Sequence, residues 1–555
     1  MAPGSLLRFA LGAFATLLPT TTASSHVHPM FRVPLDAPIS PHPSYNFSIP
    51  VDHFHNDSRY EPHSYQTFTN RYWINDDHYK PGGPVILYAA GEVSGDARIP
   101  TLEDGIVDIL ARNLNGLGVV LEHRYYGFSY PVQNLTTENM RFLSTEQAMA
   151  DMAYFAQNVV YPGHEDQNLT ASDVPYILWG GSYAGAFVAI ARKIYPDIFW
   201  GAISSSGVTA VVEDWWEYFE AARLYAPGDC APNHQRLVHI VDNILMGSDE
   251  SKKATLKKTF GLENLNDPNF GYAVARGIYG FQSVVWDPAV NDEDFSLYCG
   301  ALISNAILYP NVRHLGDLAS KIIEWGGYEA DDATTTQFLN FLGYVQTAFA
   351  REMAKEKVPN VASLMGKREK DTSDTDIPQG MLRPWLYQTC TQWAYFVTGS
   401  GTPKDQLAMI SRLVDYDYAT AACRDFFNIT TPPDTESINR LGGFNFSFPR
   451  VALIDGEADP WRQATPHAIG LNEERQSTAE EPFILIKGGA LHHWDSYGLA
   501  KDAFGPELPP TEVKKVQSEE VEFVKGWLKV WESEKGKGNK VAYEDEPHDE
   551  VPLEL

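Results

Sequence analysis

A serine at the apex of a sharp turn is the first group in this chain equipped for covalent chemistry. A short apolar run from Val174 to Trp179 ends in Gly180-Gly181-Ser182, and small, helix-compatible residues follow from Ala184 to Ile194. That pattern reads as strand, tight turn and helix. Such an elbow holds a hydroxyl above a sheet, beside the unpaired N–H groups of a helix start. A helix N-terminus favours negative charge, so the chemistry on offer is acyl transfer through an oxyanion. The usual pattern is G-x-S-x-G; here its last position is Ala184, with Gly185 one place later. Alanine is small enough to let helix and strand approach. Without partners, the same residues are a Gly/Ser-rich turn with no chemistry.

The partners are an imidazole base and a carboxylate that fixes its tautomer. In α/β-hydrolases they follow in the order Ser, Asp/Glu, His. Arg450 to Asp455 reads as a buried strand, and it runs into Gly456-Glu457-Ala458-Asp459-Pro460-Trp461. Pro482 to Lys487 reads as another, and it runs into Gly488-Gly489-Ala490-Leu491-His492-His493. Catalytic groups of such sheets sit at strand C-termini. Singly, Asp459 before proline is also an ordinary turn former, and a His pair in a loop is also a solvated one. The ordered trio after three apolar runs carries the reading. Spacing does not choose between His492 and His493.

Further motifs are spread along the chain: Val51-Asp52-His53-Phe54, Phe68 to Asn75, Gly83 to Tyr88, Gly91-Glu92, Glu122-His123-Arg124-Tyr125-Tyr126-Gly127, Leu143 to Ala148, and Tyr387-Gln388-Thr389-Cys390. With the elbow, Asp459-Pro460-Trp461 and His492-His493, they make the chain resemble the prolyl carboxypeptidase and dipeptidyl peptidase II family of serine peptidases, over residues 45 to 530. The resemblance implies an α/β-hydrolase fold with a large helical cap domain inserted in the sheet. It implies Ser182 as nucleophile, Asp459 as orienting acid and His492 as base, because relatives keep the first histidine of the pair. Leu491 stands where relatives often lack a residue, so His493 is the alternative. Oxyanion donors would be the Tyr183 N–H and, from the loop after an early strand, Gly91. Glu92 is then a substrate-binding carboxylate or a structural acid. Family members cleave next to proline. Trp461, two residues from Asp459, offers an aromatic face for a rigid apolar ring; its other reading is a core tryptophan. The resemblance also implies the pairs Cys230–Cys299 and Cys390–Cys423.

Composition agrees with an exported globular enzyme. The 555 residues are 44% apolar and 21% charged, with a formal net charge of −29. That charge argues against nucleic acid as a partner, since phosphate contacts need clustered Lys and Arg. It suits an acidic medium, where protonated carboxylates repel less, although an ordinary imidazole base is largely protonated there. Met1 to Arg8, the apolar run Phe9 to Pro19 and Thr21-Thr22-Ala23 read as a signal peptide over 1–23. No later stretch is long and apolar enough for a membrane span. Six N-x-S/T sequons stand at Asn46, Asn56, Asn134, Asn168, Asn428 and Asn445. The four cysteines, an even number, fit an oxidising compartment, secreted or vacuolar/lysosomal, and allow three pairings. The sixteen histidines show no metal spacing, so neither metal nor cofactor is expected.

The chain divides into a leader (1–23), a first core segment (24–208), a block of helical pattern (209–440), a second core segment (441–534) and an acidic tail (535–555). Within the core, Pro84 to Ala90, Leu117 to Leu121 and Ala202 to Ser206 read as strands; in the block, Asp214 to Leu224, Arg236 to Met246 and Thr336 to Lys355 read as helices; Glu512 to Glu532 reads as a closing helix. A block that interrupts the sheet is expected to cap the catalytic face, admitting peptides or chain ends and excluding water. Substrates are then peptides or proteins containing proline, cut in carboxypeptidase, dipeptidyl peptidase or prolyl endopeptidase mode. A secreted esterase or lipase would use the same triad. A non-catalytic glycoprotein would need a broken one.

Overall fold

The computed structural model describes residues 42–499, apart from 289, 360, 362, 365–372 and 377–381, and residues 508–535. The expected leader and the tail beyond 535 lie outside the described residues. Eight strands form one sheet: β1 (Tyr45–Pro50), β2 (Thr67–Asn75), β3 (Val85–Ala89), β4 (Leu117–Leu121), β5 (Tyr176–Gly181), β6 (Gly201–Ser205), β7 (Val451–Gly456) and β8 (Phe483–Ile486). Their spatial order is β1-β2-β4-β3-β5-β6-β7-β8. β2 pairs antiparallel with β1 and β4, and every other pairing is parallel. This is an α/β-hydrolase fold. Strands β3 to β7 match the apolar runs read from sequence to within a residue or two. β1 and β2 at the edge have no such run, only alternation.

Parallel strands need both faces covered, because their crossover helices pack on each side. Alternation along β3 shows the division: Val85, Leu87 and Ala89 face one core, while Ile86 and Tyr88 face the other. The second core is closed by α1 (Ile106–Leu114) and by the final helix, through Val516, Val524 and Trp527. The first core is closed by α2 (Thr145–Asn158) and α3 (Tyr183–Ile194), through residues such as Phe155 and Phe187. α2 starts at Ser144, whose hydroxyl accepts from the Gln147 N–H as a capping residue.

Between β6 and β7 the described residues hold no strand, only an isolated bridge between Asp214 and Phe396. Helices fill this block, among them α4 (Cys230–Leu245), α5 (Asp332–Glu356) and α6 (Leu382–Gln388). α4 begins six residues before the expected Arg236, because Pro232 falls in its first turn, where a missing N–H costs nothing. The expected helix over Asp214 to Leu224 is a 3₁₀ turn, Trp216–Phe219, followed by the helix Glu220–Tyr225. α6 runs into a π-helical turn, Thr389–Trp393. The last helix, α7, is Thr511–Lys535. Among the described residues no helix is long and apolar enough to cross a membrane.

Two disulfides staple the block. Cys230 is bonded to Cys299 and Cys390 to Cys423, so the pairing is the one the resemblance implies. The second closes a separation of 33 residues and fixes the π turn to the helix Tyr416–Phe427. A loop of this length restrains the unfolded chain by about 3 to 4 kcal/mol. Replacing Cys390 and Cys423 together by alanine is expected to lower unfolding stability by about that amount, read as a shift of the denaturant midpoint. An unshifted midpoint would show that the cross-link does not constrain the unfolded chain.

Candidate active site

Sheet order sets the site. β3 and β5 are neighbours, from Val85 beside Tyr176 to Tyr88 beside Trp179, so the loop after β3 and the elbow after β5 emerge side by side. β6, β7 and β8 follow in sequence order, which brings their C-terminal loops next to the elbow in turn.

Ser182 joins β5 to α3 with φ 62° and ψ −129°, a conformation that non-glycine residues hold only when the surroundings enforce it. Its N–H donates to the Ser205 carbonyl at 2.9 Å, and its own carbonyl accepts from Gly185 N–H at 2.9 Å. Glycines make the close passage possible. A Cβ on Gly180 would lie 2.1 Å from the Ala184 carbonyl oxygen, and one on Gly185 would lie 2.8 Å from Gly207 Cα. Ala184 itself is accommodated, so the departure from the usual elbow leaves the turn intact.

The two later loops are laced together. Ala458 N–H donates to the Ala490 carbonyl, and a side chain on Gly456 would strike the Leu491 carbonyl oxygen at 2.3 Å. Each of the three acids at the end of β7 and in the turn after it has its own partner. Asp455 accepts from His467 Nδ1 at 2.6 Å. Glu457 accepts from the Gly488 N–H at 3.1 Å and lies 3.3 Å from Lys487 Nζ. Asp459 meets His492 Nδ1 with both oxygens, at 3.0 and 2.9 Å, and also accepts from the Trp461 N–H at 2.9 Å. Asp459 is 0% and His492 4% exposed. His492 Nε2 is buried and makes no hydrogen bond to Ser182 or to any other described residue.

His493 is engaged differently. Its N–H donates to Ser206 Oγ at 2.8 Å and its Nδ1 lies 3.1 Å from Ser496 Oγ. The ring lies so near Gly181 that a Cβ there would sit 3.2 Å from it. Burial, then the neighbouring His492, then Arg98 hold the His493 imidazole well below its usual range, and so neutral.

Tyr183 opens α3, so its N–H is one of the helix's intrinsically unpaired donors. Gly91, at φ +70°, stands against it: a Cβ on Gly91 would lie 3.1 Å from Ala184 Cβ and 3.9 Å from the Tyr183 ring. Glu92 is buried, and its Oε2 has no hydrogen-bond partner among the described residues. Burial raises its carboxyl against the pull of Arg98, its own N–H and His492. Trp461 is 3% exposed, in a box formed by Trp215 (centroids 4.4 Å apart), Tyr395 (5.2 Å) and Tyr218 (5.7 Å). Its indole N–H donates to Gln282 Oε1 at 2.7 Å, and its ring lies 6.2 Å from that of His492. Trp215, Tyr218, Gln282 and Tyr395 come from the helical block; no local pattern marks them. Among the described residues no His/Cys/Asp/Glu group has metal-binding geometry. Five sequon asparagines are exposed, and Asn134 is half-buried.

This chain belongs to the serine carboxypeptidase S28 family, whose model matches residues 50–294 and 321–504. It is 44% identical over 491 residues to a "Probable extracellular serine carboxypeptidase" of Arthroderma benhamiae, covering 88% of this chain and 68% of that one. It is 29% identical over 454 residues (78% and 81% of the two chains) to "Serine protease vicPb" of Bipolaris victoriae. It is 25% identical over 489 residues (83% and 86%) to "Prolyl carboxy peptidase like protein 5" of Caenorhabditis elegans. The protein is therefore a serine-type peptidase, a hydrolase of peptide bonds, in the family whose likeness the motifs carry.

A second acid pair lies behind the histidines. Asp495 accepts from Ser205 Oγ at 2.5 Å, and Glu520 of α7 accepts from Trp179 Nε1 at 3.0 Å. Asp495 Oδ2 and Glu520 Oε1 have no hydrogen-bond partner among the described residues. Burial and mutual repulsion push Glu520 well up, and burial pushes Asp495 up to about 7. An acid whose pKa is higher folded than unfolded contributes stability that is complete below the unfolded value, here 3.8, and is lost as pH rises through the folded one. Buried neutral His123, lowered to about 4, acts in the opposite sense. Comparison with Asp495→Asn isolates the acid. The thermal midpoint of the native chain, relative to the variant, is expected to fall as pH rises from about 4 to about 7; parallel midpoint curves would remove Asp495 from the pH response.

Proposed function

We propose that Ser182, His492 and Asp459 form the catalytic triad of a secreted peptidase that cuts next to proline through an acyl-enzyme. The observation that carries this reading is the buried Asp459–His492 pair, with Nε2 of the imidazole left without a partner among the described residues, in the loops beside the elbow. Asp459 as acceptor fixes the proton on Nδ1, so Nε2 is the basic nitrogen. Ser182 Oγ attacks the peptide carbonyl and its proton passes to Nε2. The Tyr183 and Gly91 N–H groups hold the oxyanion, each contributing about 3 to 4 kcal/mol. The proton then goes to the leaving amine, and water, deprotonated by the same nitrogen, releases the acyl group.

In this reading the first core segment (24–208) and the second (441–534) form the catalytic body, and the helical block (209–440) is its cap. The aromatic box around Trp461 supports a pocket for the proline ring, and Glu92 supports a polar contact at its rim. Ser182, His492 and Trp461 are each under 5% exposed, which favours extended chain ends over folded loops. The relative from Arthroderma benhamiae is named extracellular and a carboxypeptidase, so export and removal of C-terminal residues lead the possible modes. The exposed sequons and paired cysteines fit that compartment.

Digestion of a defined peptide with internal and terminal prolines, read by mass, tests the assignment. Cuts next to proline are expected, absent with Ser182→Ala. Asp459→Asn is expected to lower kcat about ten-thousand-fold with little change in KM, because the tautomer is wrong. Turnover of short acyl esters without peptide cleavage would replace this reading by an esterase. Cleavage by Ser182→Ala would end it.

A further inference from the structure

The side chain of Tyr183 is held from two sides. Its hydroxyl lies 3.0 Å from His123 Nε2 and accepts from Gln388 Nε2 at 3.0 Å. Directions follow from the partners. His123 Nδ1 lies 2.7 Å from the Arg124 carbonyl, which can only accept, so Nδ1 carries the proton. Burial keeps this imidazole neutral, lowered to about 4. Nε2 is therefore an acceptor, and the Tyr183 hydroxyl donates to it. With its proton committed to His123, the Tyr183 hydroxyl can only accept from Gln388 Nε2; this turns Gln388 Oε1 to the Tyr126 hydroxyl, which donates to it. The result is a one-way chain: Tyr126 to Gln388 to Tyr183 to His123 to the Arg124 carbonyl. All four side chains are buried.

Gln388 alone among them belongs to the helical block. It ends α6, immediately before the π-helical turn. The same segment sets Trp393 and Trp385 edge-to-face with the Tyr183 ring, at centroid distances of 4.9 and 5.8 Å. Trp393 is itself tied to the body by its indole N–H on Thr145 Oγ1 at 2.9 Å. The residue so gripped is the first of α3 and follows the strained Ser182. A shift of its ring moves its amide.

We propose that Gln388 is a positioning residue for the oxyanion: through the Tyr183 hydroxyl, the helical block sets the direction of the Tyr183 N–H. This rests on the reading of that N–H as an oxyanion donor. A donor serves only when held within about 0.5 Å of the productive position, and a misplacement of about 1 Å costs about a hundredfold in rate. The loss therefore falls on kcat and spares KM, since the oxyanion exists only after attack.

Two variants test it. Gln388→Met keeps the length and loses both bonds. It is expected to lower kcat about 10- to 100-fold at every pH with KM unchanged. Gln388→Glu can donate to Tyr183 only when protonated. Around it stand Tyr126, Tyr183 and His123, with Glu92 and Glu146 acting on those tyrosines. It is expected to approach native kcat at acid pH and to lose activity as the new carboxyl ionises, at a pH where the native chain keeps its rate. A raised KM with native kcat in Gln388→Met would make Gln388 a substrate contact and overturn the proposal. So would a folded Gln388→Glu whose kcat follows the native pH profile, or one inactive at every pH. Should Gln388→Met not fold, the Gln388→Glu profile decides. The underlying reading fails by a different result, activity that survives Ser182→Ala.

Discussion

The desolvated pair of Asp459 and His492 is the constraint from which most of the site's architecture follows. A carboxylate with no exposed surface is tolerated only when its lone pairs are occupied. Here they meet the imidazole and the Trp461 N–H. That requires two loops, from different strands, to be fixed to one another to within a hydrogen bond. The backbone contact between Ala458 and Ala490 and the passage of Gly456 under Leu491 achieve this. The turn is specific as well as tight. Asp455 and Glu457 are drawn off by His467 and by the glycine amides, which leaves Asp459 alone for the histidine.

The elbow follows the same logic with backbone in place of charge. Ser182 is kept at a positive φ by bonds from both sides, and its flanking glycines admit contacts that no Cβ could share. Strain of this kind persists only where the surroundings over-determine it. The helical block contributes to that over-determination. It closes on Tyr183 with a glutamine and two tryptophans, and on Trp461 with Trp215, Tyr218 and Gln282. The helical block thus packs directly on two residues of the candidate site.

Titratable groups are distributed in a way that bears on where the protein works. The chain carries 72 acidic against 43 basic residues, while the interior behind the histidines holds Asp495 and Glu520, which favour their protonated forms. Buried neutral His123, His234 and His493 pull in the other direction. Stability across the acid range is a difference between these two sets.

Much of this was legible in the chain. Apolar runs located the parallel strands, the Gly-Gly-Ser turn located the elbow, and the acid and histidine loops were read from the α/β-hydrolase order and their place at strand ends. These are local signals, carried by a few neighbouring residues. Edge strand β1 and its neighbour β2, which alternate instead of running apolar, gave a fainter one, and the 3₁₀ turn at Trp216–Phe219 replaced a helix whose pattern looked continuous. Spacing does not separate two adjacent histidines, and the resemblance implied the first; the packed loops turn His492 to Asp459 and His493 to Ser206 and Ser496. Likewise Gln388 gains its place from Tyr126, 262 residues away, and Trp461 its box from the helical block. The sequence by itself determined the strand–turn–helix units, the candidate chemistry and its order. Tertiary structure decided which side chains share a hydrogen bond, because that depends on loop closure across distant segments, and no local propensity encodes it.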